Sequence, residues 1–216
     1  MSAPVVVFDL DGTLTLRDTS LPFVRLAAGP RAARVGLLAA GVWAIPDLAA
    51  SLWAEWLGPP PRLGGVSGRW EGRLHQRVIA HALRGRTRAE LEEAGARFAD
   101  LTLEGNLRAD ARGRIEEHGG QGHRLVLASA SLDTYVEPLA RRLGFDVAVG
   151  TRLELRDGVA TGRVVGLPCW GAEKLRRVRE ALGADGAEIA SAYGDGRGDR
   201  ALLAAARHAT VVRPWR

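Results

Sequence analysis

Hydrophobic and polar residues first form a short apolar run, which predicts a buried strand at the start of the chain. Residues 5–8 are Val-Val-Val-Phe, the composition of a strand that is covered on both faces. Asp9, Asp11, Gly12 and Thr13 follow at once. Asp-Gly is common in turns, so these residues alone fit a simple turn. In an α/β sheet, the carboxyl end of a strand is also where catalytic groups are placed.

A long stretch with helical spacing comes next, and no strand pattern interrupts it. We expect helices at residues 18–28, 31–45, 47–57, 67–83 and 87–101. The last one opens with Thr87-Arg-Ala-Glu90, the sequence of a capping box. This block predicts a helical insertion between the first strand and the rest of the sheet.

The remainder of the chain alternates between helix and strand patterns. We expect helices at residues 109–118, 133–143, 171–182 and 199–207, and strands at residues 124–128, 145–149, 188–193 and 210–213. Residues 151–155 and 159–165 predict a hairpin that turns at Asp157-Gly158. Such alternation is typical of a parallel sheet covered by helices. The expected fold class is therefore α/β, with an all-helical insertion after the first strand.

Polar clusters follow three of the predicted strands. They are Asp9/Asp11, Ser129/Ser131 and Asp195/Asp199. Because the carboxyl ends of parallel strands share one edge of the sheet, we expect these clusters to meet. Two aspartates from different strands and a backbone carbonyl form an oxygen site suited to Mg²⁺. A lysine and a serine hydroxyl beside that site would bind a phosphate group.

Each of these residues also has a purely structural interpretation. Ser129 fits a strand end, Asp199 fits the cap of the helix that it begins, and Lys174 fits a solvated surface position. Lys174 is nevertheless the only lysine among 30 basic residues. Its place near the start of a helix leading into the Asp195 strand favours a specific role.

Composition excludes some classes of protein. Hydrophobic residues make up 46% of the chain, enough for a core. The net charge is +5, but the arginines are dispersed, so we expect no nucleic-acid partner; such charge suits a phosphorylated substrate or an anionic membrane equally well. Cys169 is the single cysteine, which excludes an internal disulfide and predicts a buried apolar residue. The first residues show no charged leader or apolar signal core, which predicts a cytoplasmic setting.

An unusually apolar stretch covers residues 35–54 of the predicted insertion. Its unbroken length before Pro46 is too short to span a bilayer. Two interpretations remain open: a buried pair of helices, or a re-entrant or interfacial (peripheral) membrane contact with Trp43, Trp53 and Trp56 as interfacial anchors.

Taken together, the motifs resemble those of the haloacid dehalogenase (HAD) superfamily, in their usual order. The resemblance rests on Asp9-Leu-Asp-Gly-Thr13, a serine after an apolar strand, a lysine near a helix start, and Gly194-Asp-Gly-Arg-Gly-Asp199. The insertion resembles the C1-type cap of the phosphoserine-phosphatase-like (HAD-IB) branch. This likeness implies a Rossmann-like core domain at residues 1–16 and 105–216, and a helical cap domain at residues 17–104.

The resemblance also implies an activity: Mg²⁺-dependent hydrolysis of a phosphomonoester through an aspartyl-phosphate. Asp9 would be the nucleophile, and Asp11 would protonate the leaving group and then activate water. Enzymes of the superfamily that displace halide need only the first of these acids, so the presence of Asp11 favours phosphate-ester hydrolysis.

The remaining roles concern the metal and the phosphoryl group. The metal ligands implied are Asp9, the backbone carbonyl of Asp11, and Asp195, with Asp199 supporting them. Ser129, Ala130 and Lys174 would bind the phosphoryl oxygens.

The substrate stays open at the level of sequence. Asp18 and Arg77 are candidates for the acid and the arginine that grip the amino acid in phosphoserine phosphatases, whereas Gly198 replaces an asparagine of those enzymes. The apolar stretch resembles bacterial phosphatidylglycerophosphatase C. A small soluble phosphate and a lipid phosphate therefore remain alternatives, as do a phosphomutase and a catalytically silent binding module. The sequence does not define an oligomeric state.

Overall fold

The computed structural model describes residues 3–29, 79–183 and 188–212. The predicted helices at 31–45 and 47–57, most of the one at 67–83, the apolar stretch at 35–54 and Arg77 lie outside these residues. The proposed division into core and cap domains therefore stays a prediction.

A five-stranded parallel sheet and a separate hairpin form the framework. The strands are β1 (Val5–Phe8), β2 (Arg124–Leu132), β3 (Val147–Thr151), β4 (Leu153–Arg156), β5 (Val159–Val164), β6 (Ile189–Gly194) and β7 (Ala206–Val211). The sheet order is β3-β2-β1-β6-β7, and β4 pairs with β5 antiparallel. The predicted α/β class with a parallel sheet is confirmed, and β1 occupies its centre.

Six α-helices lie entirely within the described part of the chain, which also includes the helical residues 79–82 and a short 3₁₀ helix at Arg197–Asp199. The six α-helices are α1 (Ser20–Ala28), α2 (Arg88–Gly105), α3 (Ala109–Gly120), α4 (Asp133–Leu143), α5 (Ala172–Leu182) and α6 (Arg200–Ala205). None of the described helices has the length and apolar character needed to cross a membrane.

Both faces of the sheet are covered, as the composition of β1 predicts. Val6 and Phe8 pack into a core that includes residues of α1, α2 and α4, whereas Val5 and Val7 pack on the opposite face with residues of α5 and α6. Alternate side chains of a strand point to opposite faces, so a fully apolar strand suits a sheet between two layers of helices.

Two local predictions are confirmed in detail. Thr87 Oγ1 accepts a hydrogen bond from the Glu90 amide at 3.3 Å, and Glu90 Oε2 accepts one from the Thr87 amide at 2.8 Å, completing the capping box of α2. Asp157 and Gly158 join β4 to β5 with positive φ angles of 49° and 77°. Asp and Gly tolerate this conformation better than other residues do.

Several predicted boundaries are wrong. Strand β2 was expected to end at residue 128, but its extended backbone continues to Leu132, so Ser129 and Ser131 lie within the strand. Helix α6 ends at Ala205, and β7 covers Ala206–Val211 rather than residues 210–213. Pairing with β6 in parallel register gives residues 206–211 the backbone partners of a sheet, which outweighs their helical composition. The strand expected at 145–149 and the helix expected from residue 18 each begin two residues later.

Candidate active site

The turn after β1 places Asp9 and Asp11 at the carboxyl edge of the sheet. The Asp9 amide donates to the Tyr193 carbonyl at 2.9 Å, so the ladder with β6 extends to this residue. The amides of Thr13, Leu14 and Thr15 then all donate to the Leu10 carbonyl. These bonds close a compact turn that presents both acids on one side.

Gly12 allows this turn to approach the loop after β6. Its φ is +80°, and a Cβ atom there would overlap Asp195 Oδ2. A positive φ and the lack of space both require glycine. The carboxylate of Asp195 therefore lies directly against the turn that carries Asp9 and Asp11, as the shared sheet edge predicts.

Lys174 on α5 is buried between two carboxylates. Its Nζ donates to Asp9 Oδ1 at 2.7 Å and to Asp199 Oδ1 at 2.5 Å, and its side chain is only 2% exposed. Burial alone would lower the pKa of Lys174, but the charges of Asp9 and Asp199 outweigh it and hold that pKa above its ordinary value. The surface interpretation of this lysine is therefore wrong, and its amine stays charged beside Asp9.

Asp199 also organises the loop that carries Asp195. Its Oδ2 accepts hydrogen bonds from the amides of Asp195 at 3.2 Å and Gly196 at 3.3 Å. Since Oδ1 already binds Lys174, both oxygens of Asp199 are engaged. This arrangement fits a supporting residue better than a primary metal ligand.

Asp11 is held by three hydrogen bonds. Its Oδ1 accepts from the amide and the hydroxyl of Thr19 at 2.8 and 2.7 Å, and its Oδ2 accepts from Ser131 Oγ at 2.6 Å. Burial raises the pKa of Asp11 despite these bonds. A raised pKa suits a carboxyl group that has to give up and recover a proton near neutrality.

A cleft of about 470 Å³ brings these groups together. The described residues that line it are Asp9, Asp11, Asp18, Ser20, Ala130, Ser131, Trp170, Lys174, Asp195, Gly196, Arg197, Gly198 and Asp199. Ser129 is absent from this lining: it is fully buried, and its Oγ accepts a hydrogen bond from the Ser131 amide at 3.0 Å. Its predicted contact with phosphate stays a prediction, as does that of Ala130, which does line the cleft.

The donor set fits a hard divalent cation. One carboxylate oxygen from each of Asp9, Asp195 and Asp199 lies within 4.8 Å of the others, and such oxygens are the ligands that Mg²⁺ prefers. The three carboxylates outnumber the single ammonium group that pairs with two of them. Burial and the charge of Asp199 accordingly raise the pKa of Asp195, and a cation would relieve this repulsion.

Sequence reasoning found the acids and the lysine but missed several of their partners. Thr19 and Tyr135 were not identified as site residues, although the Thr19 hydroxyl bridges Asp11 and the Tyr135 hydroxyl. Trp170 in the cleft wall was also missed. A hydroxyl group at the end of a loop or inside a helix has no periodic pattern that distinguishes it, so the sequence carries no signal for these contacts.

Comparison with known proteins finds a family model, curated relatives and solved structures that are similar to this chain. A family model for haloacid dehalogenase-like hydrolases matches residues 6–204. Protein CicA of Caulobacter vibrioides is 34% identical over 203 residues, which cover 94% of this chain and 82% of CicA. Phosphoserine phosphatase SerB1 of Mycobacterium tuberculosis is 27% identical over 209 residues, covering 96% of this chain and 64% of SerB1. A substrate-bound phosphoserine phosphatase structure is similar in fold, with a TM-score of 0.61, 20% identity, and coverage of 97% of this chain and 85% of that one.

Proposed function

Because the chain belongs to the haloacid dehalogenase-like hydrolases, in their phosphoserine-phosphatase-like branch, we propose that it is a Mg²⁺-dependent phosphomonoester hydrolase of the HAD-IB type. The observation that carries the proposal is the buried contact of Lys174 with Asp9 and Asp199, next to Asp11 and Asp195. A scaffold that only binds a partner has no need of several acids around one buried amine, since desolvating such charges is unfavourable.

Asp9 is the nucleophile in this proposal. Its carboxylate attacks phosphorus, the bond to the leaving oxygen breaks, and an aspartyl-phosphate forms. Thr13 Oγ1 donates to Asp9 Oδ2 at 3.1 Å and, with Lys174 on Oδ1, fixes the orientation of the carboxylate. Lys174 also offsets the negative charge that develops on the phosphoryl oxygens.

Asp11 is the general acid of the first half-reaction and the general base of the second in this proposal. It donates one to the leaving oxygen, and then removes one from the water that attacks the phosphorus of the intermediate, which restores Asp9. Asp9, Asp195 and the Asp11 carbonyl would hold Mg²⁺, with Asp199 fixing the Asp195 loop. When bound, the ion would neutralise charge on the phosphoryl oxygens and lower the repulsion between them and the carboxylates.

The test is hydrolysis of p-nitrophenyl phosphate with and without Mg²⁺, by the wild type and by Asp9→Asn. The substitution preserves shape and removes the nucleophile. We expect Mg²⁺-dependent release of phosphate by the wild type and no measurable release by the variant. Lack of hydrolysis by both proteins would favour the catalytically silent binding module instead.

Phosphoserine is the substrate that the comparisons favour, because the relative SerB1 is named a phosphoserine phosphatase. Asp18, the candidate for binding an amino group, lines the cleft, although its Oδ1 also accepts from the Ser20 amide at 3.0 Å. Gly198 stands at the position where the motif resemblance implies an asparagine in phosphoserine phosphatases. A Cβ atom at Gly198 would lie 2.6 Å from Trp170 Nε1, so the Trp170 indole occupies the space that a side chain at position 198 would need.

A panel of phosphate esters tests the substrate. Preferential turnover of phosphoserine supports the amino-acid substrate, whereas preferential turnover of phosphatidylglycerophosphate supports the lipid alternative. The apolar residues 35–54, on which the lipid alternative rests, lie outside the described residues.

A further inference from the structure

Four buried hydroxyl groups surround Asp11. Thr19, Ser20, Ser131 and Tyr135 are each at most 1% exposed. Thr19 and Ser20 lie near the start of the segment predicted to be the cap, residues 17–104, whereas Ser131 and Tyr135 belong to β2 and α4 of the predicted core. The hydroxyl cluster, as we call these four groups, therefore joins distant parts of the chain at one carboxyl group.

The direction of each hydrogen bond follows from the number of protons. Asp11 accepts from Thr19 Oγ1 at 2.7 Å, which uses the only proton of that hydroxyl. The Tyr135 hydroxyl, 2.9 Å from Thr19 Oγ1, must then be the donor to it. The bonds therefore run from Tyr135 to Thr19 and on to Asp11.

The same reasoning applies on the other oxygen. The Ser131 hydroxyl donates to Asp11 Oδ2 at 2.6 Å, so Ser131 can only be the acceptor in its 3.3 Å contact with the Ser20 hydroxyl. The Thr19 and Ser131 hydroxyls therefore both direct their protons at Asp11, and the Tyr135 and Ser20 hydroxyls lie within hydrogen-bond distance behind them.

The two oxygens of Asp11 are left in different situations. Oδ1 accepts two hydrogen bonds, from the amide and the hydroxyl of Thr19, which use both of its lone pairs. Oδ2 accepts one bond from Ser131 and keeps a second lone pair. Asp11 and Ser131 both line the cleft, where a substrate would bind.

We propose that Ser131, supported by the other members of the hydroxyl cluster, is a positioning residue that makes Oδ2 the proton-exchanging atom of Asp11. This inference rests on the proposed phosphatase activity and assigns the geometry of its acid–base step. In the first half-reaction Asp9 bonds to phosphorus while the leaving oxygen separates from it, and the proton on Oδ2 passes to that leaving oxygen. In the second, Oδ2 takes a proton from water as the water oxygen bonds to phosphorus and Asp9 is released.

The test compares two kinds of leaving group. A p-nitrophenolate leaves readily without protonation, whereas an alkoxide needs the proton of a general acid. We therefore measure kcat/KM, which reports the step of leaving-group departure, for p-nitrophenyl phosphate and for an alkyl phosphate such as glycerol phosphate. The proteins are the wild type, Ser131→Ala, Tyr135→Phe and a control, Thr102→Val.

We expect Ser131→Ala to lower kcat/KM for the alkyl phosphate by roughly 10- to 100-fold and for p-nitrophenyl phosphate by less than about 3-fold, since general acid catalysis contributes about 10²–10⁴ in rate. Tyr135→Phe, which keeps the ring, should show the same selectivity with a smaller loss. Thr102→Val removes a buried hydroxyl that donates to the Phe98 carbonyl at 2.8 Å and has no hydrogen bond to the four described residues of the hydroxyl cluster, so it should leave the ratio of the two kcat/KM values unchanged.

Equal losses on both substrates, or no loss, would overturn the proposal, because a merely structural hydroxyl does not distinguish leaving groups. If Ser131→Ala does not fold, Tyr135→Phe decides the matter by the same criterion. Failure of the wild type to hydrolyse either ester would overturn the phosphatase assignment, and this inference with it.

Discussion

A single glycine sets the distance between the two acidic loops of the site. Gly12 combines a φ of +80° with a Cβ position that overlaps Asp195 Oδ2. Gly158 in the β4–β5 turn has nearly the same φ, +77°, but nothing within 4 Å of its Cβ position. A comparison of the two glycines therefore separates the effect of backbone strain from the effect of contact with Asp195, a ligand of the proposed metal site.

We predict that Gly12→Ala and Gly158→Ala each lower the free energy of unfolding, by about 1 kcal/mol or more from the strain of a positive φ. Only Gly12→Ala should also weaken Mg²⁺ binding, because it displaces Asp195. Urea unfolding and Mg²⁺ titration measure the two effects. Equal Mg²⁺ affinity in the two variants would contradict the placement of Asp195 against this turn.

A second prediction at the scale of one residue concerns the buried amine of Lys174. Lys174→Met leaves the carboxylates of Asp9 and Asp199 without their shared counter-charge, and breaking a buried pair costs about 3–5 kcal/mol. Arg176→Met, on the same helix, removes ion pairs of a side chain that is 58% exposed, so solvent screening should leave the free energy of unfolding nearly unchanged.

The loss in Lys174→Met should depend on pH. Burial already raises the pKa of Asp9 to about 7 in the wild type, and the Lys174 amine opposes that rise. Without the amine the pKa of Asp9 in the folded protein rises further, so folding takes up protons over a wider pH range and stability falls more as the pH rises. Urea unfolding without divalent cations should show a larger deficit relative to wild type near about pH 8 than near about pH 5. A deficit that shrinks with rising pH would contradict this account.

At the scale of elements, α2 packs against the start of α4 through a glycine. A Cβ atom on Gly95 would overlap the Thr134 carbonyl oxygen, whereas Gly105 in the same helix has open space around its Cβ position. Gly95→Ala should lower the free energy of unfolding by about 1–3 kcal/mol through overpacking. Gly105→Ala should be neutral or raise it by up to about 1 kcal/mol through helix propensity. If Gly95→Ala and Gly105→Ala shifted the urea midpoint in the same direction, the close contact of Gly95 with Thr134 would be contradicted.

The elements themselves were predictable where the local pattern and the tertiary structure agree. The apolar residues of β1, the Asp157-Gly158 turn and the capping box at Thr87 all carry their signal within a few neighbouring residues. The ends of β2 and β7 were not predictable in this way. Residues 206–211 are extended because β6 pairs with them, whereas β2 continues past an irregularity in its pairing with β3 to the bridge between Leu132 and Thr151. The sequence of neither strand contains that information.

At the scale of the molecule, parallel topology explains why the candidate site could be inferred at all. Strand β1, which ends just before Asp9, lies between β2, which contains Ser129, and β6, which ends just before Asp195, so the carboxyl ends of the three strands share one edge. The hydroxyl cluster could not be inferred, because Thr19 and Tyr135 meet only after α1 and α4 pack together. Packing of Phe23 against Phe98 and Tyr135 fixes that arrangement.

Metal binding should stabilise the whole fold, because the ligands come together only in the folded chain. A ligand at about 100 times its dissociation constant adds about 3 kcal/mol to the free energy of unfolding. We expect Mg²⁺ to raise the thermal midpoint of the wild type and not that of Asp195→Asn. Asp157→Asn, in the distant hairpin turn, is the matched control and should respond as the wild type does. If Mg²⁺ raised the thermal midpoint of Asp195→Asn as much as that of the wild type, Asp195 would not be a metal ligand.

The most direct test of the central claim is the chemical identity of position 9 during turnover. Acid quench of the protein with p-nitrophenyl phosphate and Mg²⁺, followed by borohydride reduction, converts an aspartyl-phosphate to homoserine, which peptide mass spectrometry detects. We predict homoserine at position 9, in higher yield in Asp11→Asn, where hydrolysis of the intermediate is slowed. Reduction at another residue, or at none while the substrate is being consumed, would contradict the proposed role of Asp9.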